Sequence, residues 1–146
     1  LIGLANIAGS YLCGRAGEII EKRLALTLLY LSRAAIFAAF LAFPVTQTGV
    51  LVFSLALGLL WLGTIPLTSG LITVFFGTRW LSMLYGIVFL SHQMGSFLGA
   101  WLGGVIYDHY KSYDVMWWLC IGLGLVAALL HFPIRERPAT RLQAAQ

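Results

Sequence analysis

Formal charge is scarce in this sequence. Charged residues make up 10% of the 146 residues, against about 25% in ordinary soluble domains, and hydrophobic residues make up 60%. Between Arg79 and Asp108 the chain runs 28 residues without a formal charge. About 20 consecutive apolar residues are enough to cross the hydrocarbon core of a bilayer. The composition therefore argues against an ordinary soluble domain and predicts an integral membrane protein.

Cysteines and motifs of known chemistry are equally scarce. Cys13 and Cys120 lie in apolar segments without Cys-x-x-Cys spacing, which argues against a disulfide framework or a metal site. The sequence contains no HExxH, GxSxG or GxxxxGK[ST] motif. We therefore expect no catalytic residue, no metal and no cofactor, and a protein that is not an enzyme. The net charge of +4 does not indicate a nucleic-acid partner, because the basic residues sit in short segments between apolar runs.

The apolar runs divide the chain into one partial and four complete membrane spans. Irregular backbone cannot face lipid, so each run is predicted to be an α-helix. The chain opens inside an apolar run too short to span, which we interpret as the end of a helix whose beginning belongs to a missing N-terminal part. The predicted transmembrane bundle covers 1–134, with the partial span 1–13, complete spans 24–43, 50–76, 80–107 and 115–132, and then a polar tail, 135–146.

The basic residues between the spans fall mostly on one side. Seven lie on that side and Lys111 alone on the other, and an excess of Lys and Arg marks cytoplasmic loops. This asymmetry predicts that the segment 14–23, the turn 77–79 and the C-terminal tail are cytoplasmic. The seven residues are Arg15, Lys22, Arg23, Arg79, Arg135, Arg137 and Arg141.

The span 80–107 has a small and polar stripe backed by a bulky apolar face. At about 100° per residue, three glycines lie within about 60° of His92. Glycines four residues apart let helices approach closely, so we predict that they pack against a neighbouring helix. His92 either belongs to a proton-sensitive site or bonds a neighbouring helix. The glycines are Gly95, Gly99 and Gly103.

The span 50–76 also has a polar face, which includes an aromatic residue. Pro66 has no backbone donor, so it can kink the helix and leave the carbonyl of Leu62 free for another partner. Such a face suits a substrate cavity, and a packing seam of small polar residues is the alternative. The face comprises Ser54, Gly58, Trp61, Thr64 and Thr68.

Arg33 lies near the centre of the span 24–43. An arginine at that depth costs about 2.5–3.5 kcal/mol on insertion scales, so it needs a partner or a wet cavity. The predicted complete spans contain no acidic residue. The partner is therefore expected among backbone carbonyls, an anionic substrate or the missing chain. Pairing inside the bundle is favoured over direct contact with substrate.

The segment 9–23 resembles the cytoplasmic loop between helices 8 and 9 of the major facilitator superfamily. Gly14, Arg15 and Gly17 match a weakened form of the family signature Gly-x-x-x-Asp-Arg-x-Gly-Arg-Arg, with Gly14 in the place of the Asp. Residues 92–95 (His-Gln-Met-Gly) and the glycines that follow are similar to helix 11 of bacterial members. Within the family, the similarity is greatest to the monocarboxylate and oxalate/formate-like branch.

The resemblance implies an all-α integral membrane fold in which this chain is the end of helix 8 through helix 12 of a twelve-helix bundle. It implies a secondary transporter of the bacterial inner membrane that moves a small solute, such as an organic anion, by alternating access coupled to a proton or to exchange. The implied partners are the lipid bilayer, the substrate and the missing N-terminal part. In this family helices 10 and 11 line the cavity, so the substrate-binding candidates are Trp61, Thr64, Thr68 and His92, with Arg33 less favoured.

Two other classes of function remain open. A structural or accessory membrane subunit would use the same helices only for packing. An intramembrane enzyme would need a catalytic cluster, and the sequence offers none.

Overall fold

The computed structural model describes residues 1–137, which form six α-helices and one short 3₁₀ turn and contain no β-strand. Residues 138–146 of the predicted tail lie outside the described residues. The predicted all-α class is confirmed. The elements are α1 (Ile2–Ile19), α2 (Lys22–Ala42), α3 (Gln47–Trp61), α4 (Thr64–Phe76), the 3₁₀ turn (Thr78–Trp80), α5 (Leu81–Tyr110) and α6 (Asp114–His131).

Four helical stretches are long and apolar enough to cross a membrane. They correspond to the four predicted complete spans, with ends shifted by a few residues. The second stretch consists of two helices, α3 and α4, where the sequence predicted one. The stretches are Lys22–Ala42, Gln47–Phe76, Thr78–Tyr110 and Asp114–His131.

The first helix is longer than the sequence predicted. α1 runs past residue 13 to Ile19, and Ile20 and Glu21 alone connect it to α2. The predicted loop 14–23 is therefore mostly helical. The prediction ended the helix where the apolar run ends, but charged residues are good helix formers. Arg15 and Glu18 lie one turn apart on the helix, with Arg15 Nε 3.8 Å from Glu18 Oε2.

Local chemistry fixes several helix ends. The hydroxyl of Thr46 accepts a bond from the N–H of Gly49 at 3.0 Å and caps the start of α3. Pro44 follows the end of α2, as expected for a residue that disfavours helix before it. Gly77 ends α4 with φ 74°, and Lys111 ends α5 with φ 54°. The left-handed conformation of Lys111 is typical of helix C-terminal caps, and Gly77, with ψ 176°, adopts a conformation that glycine tolerates because it has no Cβ.

Packing is concentrated among α1, α2, α3, α4 and α6. α2 lies along α6 and α1 lies along α3. A core of buried side chains joins α2 to α4, and an aromatic cluster joins α2, α3 and α6 near the other end of α2. The core consists of Ala25, Leu26, Leu29, Leu67 and Leu71, and the cluster of Phe37, Phe40, Phe53 and Trp117.

The start of α2 and the end of α6 are joined by hydrogen bonds in both directions, which we call reciprocal capping. Arg23 Nη1 donates to the carbonyl of Phe132, at the end of α6, at 3.2 Å. The N–H of Arg23, in the first turn of α2, donates to Glu136 Oε1 at 2.7 Å. Each bond satisfies a terminal backbone group that has no intrahelical partner. The segment after α6 is thereby held against the start of α2.

We expect Glu136→Ala to lower the free energy of unfolding by about 1 kcal/mol, as for the loss of a helix N-cap. Glu136→Gln keeps an oxygen that can accept the Arg23 N–H bond and is expected to retain most of the stability. Thermal unfolding of the purified protein in detergent measures both variants. Equal losses in the two would show that Glu136 acts through its charge and not as a cap.

α5 stands apart from the other helices. Of its residues Leu81–Tyr110, the structure buries only Ile106. Its contacts are with the 3₁₀ turn that precedes it and with α4 and α6. Both its small-residue stripe and its bulky apolar face are therefore open within residues 1–137.

Candidate functional site

The span formed by α3 and α4 is interrupted near its middle. α3 ends at Trp61 and α4 begins at Thr64. Pro66 has no N–H to donate to the carbonyl of Leu62. That carbonyl accepts instead from the N–H of Ile65 at 3.0 Å, which is a tighter, 3₁₀-type bond. The predicted kink at Pro66 is an interruption of the helix, and the Leu62 carbonyl, which Pro66 leaves free, has the Ile65 N–H as its other partner.

Arg33 supplies hydrogen bonds to the end of α3. Its Nη2 donates to the carbonyls of Leu60 and Trp61, at 2.5 Å each. The guanidinium carbon lies 5.5 Å from the centroid of the Tyr30 ring. Within residues 1–137, Nε of Arg33 is buried and has no hydrogen-bond partner. Among the partners that the sequence left open for Arg33, the structure shows backbone carbonyls.

Asn6 supplies the complementary bond from α1. The N–H of Leu62 donates to Asn6 Oδ1 at 3.0 Å. In a continuous helix this N–H would bond the carbonyl of Gly58. Sequence reasoning did not select Asn6, although an amide side chain inside an apolar run is the signal that could have found it.

Small residues bring α1 against α3 and the break. A Cβ on Gly9 would lie 1.8 Å from the carbonyl oxygen of Leu59, and a Cβ on Gly63 would lie 2.4 Å from Cys13 Sγ. Neither position has room for a side chain. Close contact between backbones is the usual role of small residues between membrane helices. Neither glycine lies in a conspicuous stripe, so the spacing of glycines in the sequence does not reveal these contacts.

The break rearranges the polar face predicted for this span. Trp61 is 52% exposed, whereas Gly58 is buried against α1, where an added Cβ would lie 2.8 Å from the carbonyl oxygen of Ile2. Thr64 and Thr68 are half-buried on α4. A straight helical wheel does not apply across the break. Gly58 is therefore a packing residue, whereas Trp61, the last residue of α3, has an exposed side chain.

His92 lies on α5, separate from this cluster. It is exposed, and its ring is 6.3 Å from the ring of Phe89 on the same helix. Its carbonyl accepts a bond from the Ser96 hydroxyl at 3.0 Å. The contacts that brace the break come from α1 and α2, so the structure brings Arg33 and Trp61 together but does not bring His92 to them.

The glycines of the α5 stripe have open space beside them. A Cβ added at Gly95, Gly99 or Gly103 would meet no atom of a neighbouring element within 4 Å among residues 1–137. A helix that packs against them would have to come from outside this part of the chain. Their packing role stays a prediction.

The residues that resemble a loop signature lie in the last turns of α1. Gly17 is buried, and a Cβ there would lie 2.8 Å from Leu67 Cδ2. A Cβ added at Gly14 would lie 3.8 Å from Pro66 Cβ, an ordinary contact distance. Arg15 is exposed. Two members of the motif therefore contact α4 just beyond the break.

Metal chemistry has no visible basis in the part of the chain that the structure describes. Residues 1–137 contain no group of three or more His, Cys, Asp or Glu side chains arranged to hold a metal ion.

Comparison with known proteins decides the family. The sequence model of the Major Facilitator Superfamily matches residues 1–146. The chain belongs to the Major Facilitator Superfamily. It is also 33% identical over 88 residues to the uncharacterized MFS-type transporter YcxA of Bacillus subtilis (strain 168), an alignment that covers 58% of this chain and 22% of that protein. No solved structure matches the chain.

Membership in the superfamily agrees with the apolar helices. Four helical stretches can cross a membrane, and both the family and the relative are of the transporter type. The chain is therefore an integral membrane protein of a transporter family. The superfamily points to a transporter rather than an enzyme.

Proposed function

We propose that this chain is the C-terminal part of a secondary transporter that moves a small organic anion by alternating access. The observation that carries the proposal is the break in the span α3–α4, with Trp61 exposed beside it. In secondary transporters, discontinuous helices build the substrate site near the bilayer midplane.

The electrostatics of the break favour an anion. The C-terminal end of a helix carries partial negative charge and the N-terminal end partial positive charge. Arg33 bonds the last carbonyls of α3 and opposes the negative end. The positive end of α4, which begins at Thr64, has no such countercharge in the sequence around it, because residues 50–76 contain no acidic residue. An anionic group is therefore the ligand that this region would stabilise.

The candidate side chains divide into two proposed roles, one at the break and one on α5. Trp61, Thr64 and Thr68 form one wall of the substrate site. His92 on α5 is the residue proposed to take part in coupling to a proton, with exchange as the alternative. The C-terminus is proposed to be cytoplasmic, in a bacterial inner membrane, because seven basic residues lie on that side.

The test is uptake by the full-length protein in proteoliposomes. We expect counterflow of small monocarboxylates or dicarboxylates, and no counterflow of sugars or amines of similar size. Uptake measured across a pH gradient separates coupling to a proton from exchange. Transport of neutral solutes instead of anions would contradict the proposed substrate class. Absence of transport for every solute tested would contradict the proposal and favour an accessory subunit.

We expect Trp61→Ala to weaken substrate binding roughly tenfold, a change of about 1.4 kcal/mol. The indole supplies a large apolar contact area beside the break. Trp118→Ala is the matched control, because Trp118 on α6 is also largely exposed, at 64%. The KM for uptake is measured for both variants. An equal change in the two would remove Trp61 from the substrate site.

A further inference from the structure

Several backbone groups lose their helical partners at the break, and side chains replace the partners of three of them. In a continuous helix the carbonyls of Leu60 and Trp61 would accept from residues 64 and 65, and the N–H of Leu62 would donate to residue 58. Here both carbonyls accept from Arg33. The Leu62 N–H donates to Asn6. Each of the three groups therefore has a side-chain partner.

We propose that Arg33 and Asn6 are positioning residues that hold the α3–α4 span broken at mid-depth. Unpaired backbone groups are strongly disfavoured in the hydrocarbon core, where no water can replace a lost partner. An interruption there persists only if other groups satisfy the backbone. Asn6 on α1 supplies the acceptor and Arg33 on α2 supplies the donors. We call this pair of residues, bonded to the broken backbone, the brace.

Arginine suits this role better than a neutral donor. Nη2 carries two hydrogens, one for each carbonyl, and the positive charge opposes the negative end of α3. Arg33 lies near the middle of the 21-residue helix α2. With Nη2 engaged and Nε buried, the guanidinium is directed at the backbone of α3. A brace explains an arginine at this depth.

The break also needs room, and Gly63 provides it. A side chain at position 63 would collide with Cys13 Sγ at 2.4 Å and with Leu29 Cδ1 at 2.9 Å. α1 and α2 can therefore approach the interrupted backbone closely. Cys13 becomes a natural reporter, since its thiol lies where the break meets α1.

The decisive experiment pairs loss of the brace with repair of the helix in the full-length protein. Arg33→Met and Asn6→Ala each remove bonds to the broken backbone. Pro66→Ala restores an N–H at position 66, which lets the span close as a continuous helix. A continuous helix satisfies its own backbone and no longer needs Arg33 or Asn6. Pro66→Ala is therefore expected to suppress the defects of the other two variants.

The readouts are melting temperature in detergent and the alkylation rate of Cys13. We expect Arg33→Met to lower the melting temperature and to raise the alkylation rate of Cys13 at least about tenfold. The reason is that loss of a buried hydrogen bond costs free energy and lets the region around the thiol open more often. Asn6→Ala should act in the same direction with a smaller effect, and Arg33→Lys should fall between Arg33→Met and the unmodified protein. Cys120 on α6 is the control thiol, whose rate should stay unchanged.

Several outcomes would overturn the brace. One is an unchanged melting temperature in Arg33→Met together with a raised KM, which would make Arg33 a substrate contact. Another is equal damage in Arg33→Met and in the double variant with Pro66→Ala. If Arg33→Met alone is too unstable to purify, recovery of the double variant supports the brace and failure to recover it contradicts the brace. Melting temperature and Cys13 alkylation are measured without transport, so they test the positioning role even if the proposed function is wrong. Only the KM measurement depends on the proposed function.

Discussion

Gly9→Ala is expected to destabilise the packed helices by about 3 kcal/mol, the upper part of the usual range for overpacking. The added Cβ would lie 1.8 Å from the carbonyl oxygen of Leu59, and the backbone atoms of Leu59 cannot move away as a flexible side chain could. α1 must therefore separate from α3, and the bond between Asn6 and Leu62 is lost with it. The measurement is the yield of monodisperse protein and its melting temperature in detergent.

Gly14→Ala is the matched control for this effect. Gly14 lies on the same helix, and its added Cβ would meet Pro66 at an ordinary 3.8 Å. Both substitutions gain the same helix propensity, roughly 1 kcal/mol, so their difference reports the clash. If the two variants have the same melting temperature, α1 does not lie against α3 as closely as the structure shows.

Gly103→Leu should abolish or severely reduce transport by the full-length protein, while Gly104→Leu should be tolerated. The two residues are neighbours at the same depth of α5, but they lie about 100° apart on the helix. Gly103 belongs to the stripe that carries His92, and Gly104 lies near the bulky apolar face. If a helix packs on the stripe, a leucine there costs about 1–3 kcal/mol, or roughly 5- to 150-fold in an equilibrium.

The same pair tests whether α5 has a partner outside residues 1–137. Within that range neither glycine has a neighbouring atom within 4 Å of an added Cβ, so this part of the chain alone gives no reason for them to differ. Transport rates and the amount of protein in the membrane should be measured together. Similar rates for the two variants at equal amounts would show that the stripe is not a packing surface.

The helical class could be predicted from the sequence because long apolar runs have one stable form in lipid. The sequence also predicted a kink at Pro66 for an equally local reason, since a missing N–H is a property of one residue; the structure instead interrupts the helix just before Pro66, between Trp61 and Thr64. The side chains that bond the broken backbone could not be predicted from the sequence. Asn6 is 56 positions from Leu62, and Arg33 is 27 from Leu60. Contacts at that separation depend on how each helix is rotated and tilted against its neighbours.

The glycines also show which contacts cannot be predicted from sequence spacing. The stripe on α5 is regular, so a helical wheel finds it at once, yet residues 1–137 contain nothing that covers it. Gly9 and Gly63 follow no visible period, yet a Cβ at either position would collide with a neighbouring helix at or beside the break. Spacing reveals a surface that could pack. What it packs against depends on three-dimensional contacts that one sequence does not contain.

The reciprocal capping between α2 and the segment after α6 has a practical consequence for anyone who modifies this end of the protein. A reporter or affinity tag fused directly after α6, in place of residues 132–137, would remove the carboxylate that caps α2 and replace the segment whose main-chain carbonyl Arg23 bonds. Such a fusion would loosen two spans while leaving every transmembrane residue intact. Tags should therefore be attached beyond residue 137, and truncations that end before Glu136 should be judged against this loss.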